Sequence, residues 1–293
     1  MGRFSLRDAR GRLRMALAAP VMLVSFFCAQ YAAAWGLSAL FSRLLQLWGV
    51  TSKTLPYAPD FLRTIVSCYG SLEMLLQGLA GFGAAALCAL FLRKTRFSFR
   101  PGHILPGFGI GFGLSAVCFV LLRATDSVRC MAAGEASALA EGLHAAGVFA
   151  YALATEALIG GGLYSRRLRP TLAVPLYAAL NCAMYVLSVP FTLPALLGAL
   201  ALSAACSVLY QKRSFWAAAA LRGAFSLSAH RLFGFSHTGA PGIFFETFPV
   251  SRDWLTGGDL GLESGWLCAV LFAACAALLW FFLKNKNDIA EDA

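Results

Sequence analysis

Glu156, Asn181 and Arg222 each lie inside a different apolar segment of this 293-residue chain. Polar and ionisable groups in membrane helices are costly, face the protein interior and mark functional sites by default. Thr155, Tyr185, Ser188 and Ser226 lie within a turn or two of them. These residue types allow two arrangements. In one, Glu156 and Arg222 form a buried ion pair, with Asn181 and a hydroxyl completing the hydrogen bonds; removing one partner of such a pair costs about 3–5 kcal/mol. In the other, Glu156 is a general base that activates water for peptide hydrolysis. A neighbouring guanidinium favours the ionised, weakly basic carboxylate, so the chemistry favours the pair.

The elements that must position these residues follow from composition. The chain is 59% hydrophobic and only 13% charged, against roughly 25% charged in a soluble domain. Apolar runs near the ~20 residues needed to cross ~30 Å of hydrocarbon fall at 15–40, 71–92, 104–122, 143–164, 171–188, 190–210, 214–230 and 265–283. The expected fold is all-α, a polytopic transmembrane helical bundle of about eight spans. Along these spans Glu156, Asn181 and Arg222 lie ~15, ~16 and ~14 Å from the same edge, which is one plane near the bilayer centre.

Basic residues orient the bundle. Arg3, Arg7, Arg10, Arg12 and Arg14, then Arg93, Lys94, Arg96 and Arg100, then Arg166, Arg167 and Arg169, then Lys212 and Arg213, then Lys284 and Lys286 all fall on one side. Seven others fall opposite. The positive-inside rule then puts both termini in the cytoplasm, with a bacterial plasma membrane as the expected location. The formal charge of +10 reflects topology and contact with anionic headgroups; the partner it implies is the lipid bilayer, and no nucleic acid is called for. Arg10, Arg12 and Arg14 precede an apolar stretch ending in Ala32-Ala33-Ala34, as in a cleavable signal peptide, but the length of the apolar run favours a retained helix.

Segments 51–70, 123–142 and 231–264 read as outer polar loops. Glycines at 79–83 and 107–113 read as small-residue helix contacts, not phosphate loops. Of nine cysteines, seven fall in apolar spans, where a free thiol acts as a small hydrophobe; Cys68 and Cys130 share the outer side, where a bridge is conceivable. His103, His144, His230 and His237 read as surface or interface imidazoles, and Glu73 as a solvated residue at the edge of the second span. With no zinc-ligand spacing, no metal and no cofactor is expected.

The residues of the polar layer also carry a resemblance. The stretches Ala154-Thr155-Glu156-Ala157-Leu158-Ile159-Gly160-Gly161, 180–188 and Ser214–Ser226 fall in the order and spacing of Glu-Glu-x-x-x-Arg, Phe-x-x-x-His and His-x-x-x-Asn. Phe233-Gly234-Phe235-Ser236 and Leu255–Gly265 add to the likeness. Residues 151–265 thereby resemble the CPBP family of intramembrane proteases, also called the CAAX-protease or Abi family. The resemblance implies a CPBP-like core over 141–283, preceded by variable transmembrane helices over 1–140 and followed by a short polar tail over 284–293.

Departures from the motifs bear on activity. The first glutamate is Thr155, the second is retained as Glu156, and the motif arginine is Gly160. The second motif has no histidine, and Arg222 and Ser226 replace the histidine and asparagine of the third. The resemblance therefore implies a catalytically silent relative whose vestigial catalytic positions are Thr155, Glu156, Arg222 and Ser226, with Asn181, Tyr185 and Ser188 as a polar binding layer for a membrane partner or a prenylated or secreted peptide. Two alternatives stay open: a divergent endopeptidase using Glu156, and a transporter-like protein.

Overall fold

In a computed structural model, the protein is described over residues 15–51, 54–93, 101–133, 137–159, 174–175, 177–179, 182, 192–235 and 243–284. Asn181, Tyr185 and Ser188, and most of the expected fifth span, lie outside these residues. The described chain is overwhelmingly helical, and five helices are long and apolar enough to cross a membrane: Pro20–Leu47, Asp60–Phe91, Ile104–Ala124, Ala138–Ile159 and Leu193–Gln211. A shorter apolar helix covers Trp266–Phe282. By length and composition the protein is an integral, multi-pass membrane protein.

Two compact units divide the chain, neither continuous in sequence: 1–96 with 137–162, and 97–136 with 163–293. The first holds α1 (Met15–Leu47), α2 (Asp60–Arg93) and α4 (Ala138–Glu156), with α2 packed against both partners. Small residues allow this packing. A Cβ at Gly78 would come 2.7 Å from the backbone nitrogen of Tyr151 and 2.8 Å from the carbonyl carbon of Ala150, and one at Gly147 would press on Leu75 and Met74. Close approach of backbones through glycine is a standard means of joining membrane helices. Gly81 makes a similar contact with Phe26 and Gln30, whereas Gly83 faces open space.

The start of α2 corrects the expected loop at 51–70. Pro59 stops the preceding segment, Asp60 supplies an acid to the first turn, and Arg63 pairs with Asp60 one turn later. These are helix-start signals, and the helix they begin carries Glu73 well inside it, where Gln77 Nε2 donates to Glu73 Oε1 at 3.1 Å in a partly buried pair. Glu73 is therefore part-buried and paired within α2.

The second unit holds α3 (Ile104–Ala124), β1 (Val128–Ala132), α5 (Leu193–Lys212), α6 (Phe215–Leu227), β2 (Phe245–Pro249) and α7 (Trp266–Lys284). Caps set the boundaries of α5 and α6: Ala195 N donates to Thr192 Oγ1, and Ala217 N to Ser214 Oγ. Each cap satisfies an amide that the helix itself cannot. Gly107 and Gly111 let α3 lie directly on α6, since a Cβ at either would collide with the carbonyl oxygen of Ala217 or Leu221. Gly109 and Gly113 face open space, so two of the four glycines in that run are packing residues. Ser115 continues the Gly107–Gly111 row and shares a buried hydrogen bond with Ser228.

The expected outer loops at 123–142 and 231–264 are partly ordered as a sheet. Strand β1 pairs antiparallel with β2, placing Arg129 opposite Phe248 and Met131 opposite Glu246. Thr247 turns inward and bonds the Phe233 carbonyl, while Phe119 stacks on Phe233 at 4.7 Å and meets Phe245 at 5.3 Å. The sheet is thus anchored to the membrane helices by aromatic contacts. Cys68 and Cys130 are both free thiols.

Candidate functional site

Helical spacing brings the chemistry of the second unit together. Arg222, Ser226 and His230 stand four residues apart, a spacing that aligns side chains along one helix face. The first two belong to α6. His230 belongs to a π-helical turn, Ser228–Leu232, that continues it; single π turns interrupting helices recur at functional sites. Ser228 Oγ bonds back to the Ala224 carbonyl, and Phe233 N donates to Ser228 O at 2.9 Å, closing the turn.

Glu263 joins this row from the loop before α7. Successive tight turns, Gly258–Leu260 and Leu262–Ser264, fold that loop, with Ser264 N donating to Gly261 O at 3.0 Å. Gly257 makes the first turn possible: its φ is +84°, and a Cβ there would strike the Gly261 carbonyl oxygen. The backbone at Glu263 then lies close over Gly198 of α5, where a Cβ would sit 3.5 Å from the Glu263 carbonyl oxygen, in ordinary contact.

The outcome is a small cavity of about 60 Å³ whose walls include Gly198, Leu202, Arg222, Ser226, Glu263 and Phe272. That is room for water, and far below the ~300–1,000 Å³ of small-molecule pockets. A cation, a hydroxyl and a carboxylate line one space inside an apolar shell, with Phe225 against Phe272 at 4.7 Å closing one side. A low-polarity shell of this kind strengthens each charge interaction within it.

His230 is committed elsewhere. Its Nδ1 lies 3.1 Å from the Phe235 carbonyl oxygen and its Nε2 3.7 Å from Glu263 Oε1. A histidine serving as base to Ser226 needs a ring nitrogen facing that hydroxyl; here both nitrogens face other groups. The His230 side chain is 21% exposed, with the Glu263 carboxylate beside it. The helical spacing from Arg222 through Ser226 to His230 could have revealed its alignment from sequence. No sequence signal shows that Glu263 folds back to it.

Thr155 and Glu156 belong to the first unit, in the last turn of α4, where the helix widens into a π turn over 157–159. Glu156 is fully buried, as are Ala154, Ala157, Leu158 and Ile159 around it in sequence. The Thr155 hydroxyl donates to the Tyr151 carbonyl at 3.0 Å, so that side chain is spent on its own helix. The structure thus describes four of the seven sequence-predicted residues: Thr155 and Glu156 adjacent on α4, and Arg222 and Ser226 on one cavity. Among the described residues, no three His, Cys, Asp or Glu side chains are grouped as metal ligands. No protein-family model, no curated protein and no solved structure matches the chain.

Proposed function

We propose that this is a CPBP-like membrane protein without peptidase activity, which holds a membrane partner or a prenylated or secreted peptide. One observation supports it most. Where the resemblance puts a histidine and an asparagine, Arg222 and Ser226 line a cavity of about 60 Å³, and His230, one turn beyond, turns its nitrogens to Phe235 and Glu263. A fixed cation and a committed imidazole do not generate a nucleophile at that hydroxyl. The same proposal takes the membrane to be the bacterial plasma membrane, crossed eight times with both termini inside.

A divergent endopeptidase is the second reading, favoured by the carboxylate of Glu263 on the cavity wall beside Arg222 and Ser226. One experiment separates them. The full chain in lipid nanodiscs is incubated with a fluorescent farnesylated peptide ending in a CAAX sequence and with the same peptide lacking the prenyl group. Saturable anisotropy with the farnesylated probe and no cleavage product by mass spectrometry is the expected result. Cleavage that disappears in Glu156→Gln or Glu263→Gln would replace the first reading by the second, and no saturable retention of either probe would remove the peptide-binding role.

A further inference from the structure

The exposed face of the β1–β2 sheet, where it meets the end of α3, carries chemistry that neither function above uses. A groove of about 460 Å³ is lined there by Arg123, Arg129, Cys130, Met131, Phe248 and Val250. We infer that this groove binds the phosphate of an anionic glycerophospholipid headgroup, with the first carbons of its acyl chains on the apolar wall.

Register builds the wall. Residues directly opposite in an antiparallel pair share a face, so Arg129 and Phe248 stand together, and Met131 joins them two residues along the strand. Arg129, Met131 and Phe248 are all exposed. The second guanidinium, Arg123, comes from the last turn of α3. That helix has 21 residues, about 31 Å at 1.5 Å per residue, and the hydrocarbon core is about 30 Å thick. Its final turn therefore stands at headgroup level. Val117, Val120 and Arg123 follow at three-residue spacing, and both valines are exposed, which continues an apolar track from the groove down the lipid-facing side of α3.

Charge selects the headgroup. Two guanidiniums with forked donors match a phosphate diester better than a point charge does. Their carboxylate neighbours compete weakly. Asp126 Oδ1 lies 3.9 Å from Arg123 and is 93% exposed; Glu246 shares the sheet face beside Met131 but does not line the groove. Among the described residues, Arg129 is in no ion pair. A headgroup with its own ammonium would place a cation beside these two, so phosphatidylglycerol is favoured over phosphatidylcholine.

Native mass spectrometry of the full chain, released from detergent with equimolar phosphatidylglycerol and phosphatidylcholine, tests this. Phosphatidylglycerol adducts should dominate, and Arg123→Gln and Arg129→Gln should each weaken them roughly tenfold, the worth of one hydrogen bond to a charged group. Arg252→Gln, at an exposed arginine outside the groove, should leave them unchanged. Val250→Asp, which adds a carboxylate to the wall, should abolish the preference even if an arginine variant fails to purify. Equal adducts of the two lipids, or equal losses in Arg252→Gln and Arg129→Gln, would overturn the site. Displacement of lipid by millimolar inorganic phosphate would make it a free-anion site, and a lipid-free dimer mass would give the face to a second copy; either overturns the lipid assignment.

Discussion

His230 joins the end of α6 to the loop that enters α7: its Nε2 stands 3.7 Å from Glu263 Oε1 while its Nδ1 faces the Phe235 carbonyl at 3.1 Å. One imidazole therefore fixes two polypeptide segments on either side of the β2 strand. The arrangement places Glu263 on the cavity that Arg222 and Ser226 also line.

Glu263→Gln should loosen that joint. At 3.7 Å the pair is longer than a hydrogen bond and partly exposed, so its loss is worth about 0.5–1 kcal/mol. The expected outcome is a lower melting midpoint in detergent together with faster hydrogen exchange across residues 257–265. Unchanged exchange there would mean that His230 does not hold the loop.

Glycines of α3 offer a paired test. Gly111→Ala pushes a methyl into the Leu221 carbonyl and should cost about 1–3 kcal/mol, the range for overpacking. Gly109→Ala meets nothing within 4 Å and should be neutral or stabilising by up to about 1 kcal/mol, because alanine gives up less backbone entropy. Thermal denaturation followed by fluorescence-detected size exclusion reads both. Equal effects would contradict the contact between α3 and α6.

Ser115 and Ser228 call for a double-mutant cycle. Their hydroxyls share a buried hydrogen bond between α3 and the π turn; with one proton each, one hydroxyl donates to the other, which donates to a carbonyl of its own helix. Alanine at either position should cost about 0.5–1.5 kcal/mol, with a coupling near the ~0.6 kcal/mol average for interhelical bonds in membranes. Strict additivity would show that the two hydroxyls act separately.

Glu156 is fully buried. Replacement by Gln keeps the shape and one acceptor oxygen while turning the other into an NH2 donor, whereas Ala removes the whole polar group, and a group that buried tolerates loss of its partners poorly. Glu156→Ala should reduce the yield of monodisperse protein much more than Glu156→Gln. A reversed order would argue against a structural carboxylate.

Orientation can be read through Cys130, which is part exposed on β1. In a variant retaining only that cysteine, a membrane-impermeant maleimide should label intact spheroplasts. Labelling only after lysis would invert the proposed topology.

Sequence legibility tracks how local the determining physics is. Long apolar helices such as α3 and α5 were readable because their signal lies in consecutive residues. Gly107 and Gly111 were readable as packing residues, but their distinction from Gly109 and Gly113 depends on which face meets α6. Asp60 reads as loop from sequence although Pro59-Asp60 is a start signal, because aromatic and polar residues through 70 mask the helical run. The Arg129–Phe248 pairing and the His230–Glu263 contact join distant segments, and no spacing in a single chain encodes them. Ser226 was legible only as a motif position; its place on a cavity with Glu263 required the fold of the 257–265 loop.

The discontinuous first unit has a consequence for biogenesis. Helix α2 cannot meet α4 until the ribosome has also made α3 and β1, which belong to the other unit. At about 5–20 residues per second, the stretch from Arg93 to Ala138 takes roughly 2–9 s. During that interval the seat for Ala150 and Tyr151 at Gly78 is open to lipid, and a nascent chain arrested before residue 138 presents a lone, half-packed helix pair. Synonymous changes that slow translation between Arg93 and Ala138 would lengthen that interval.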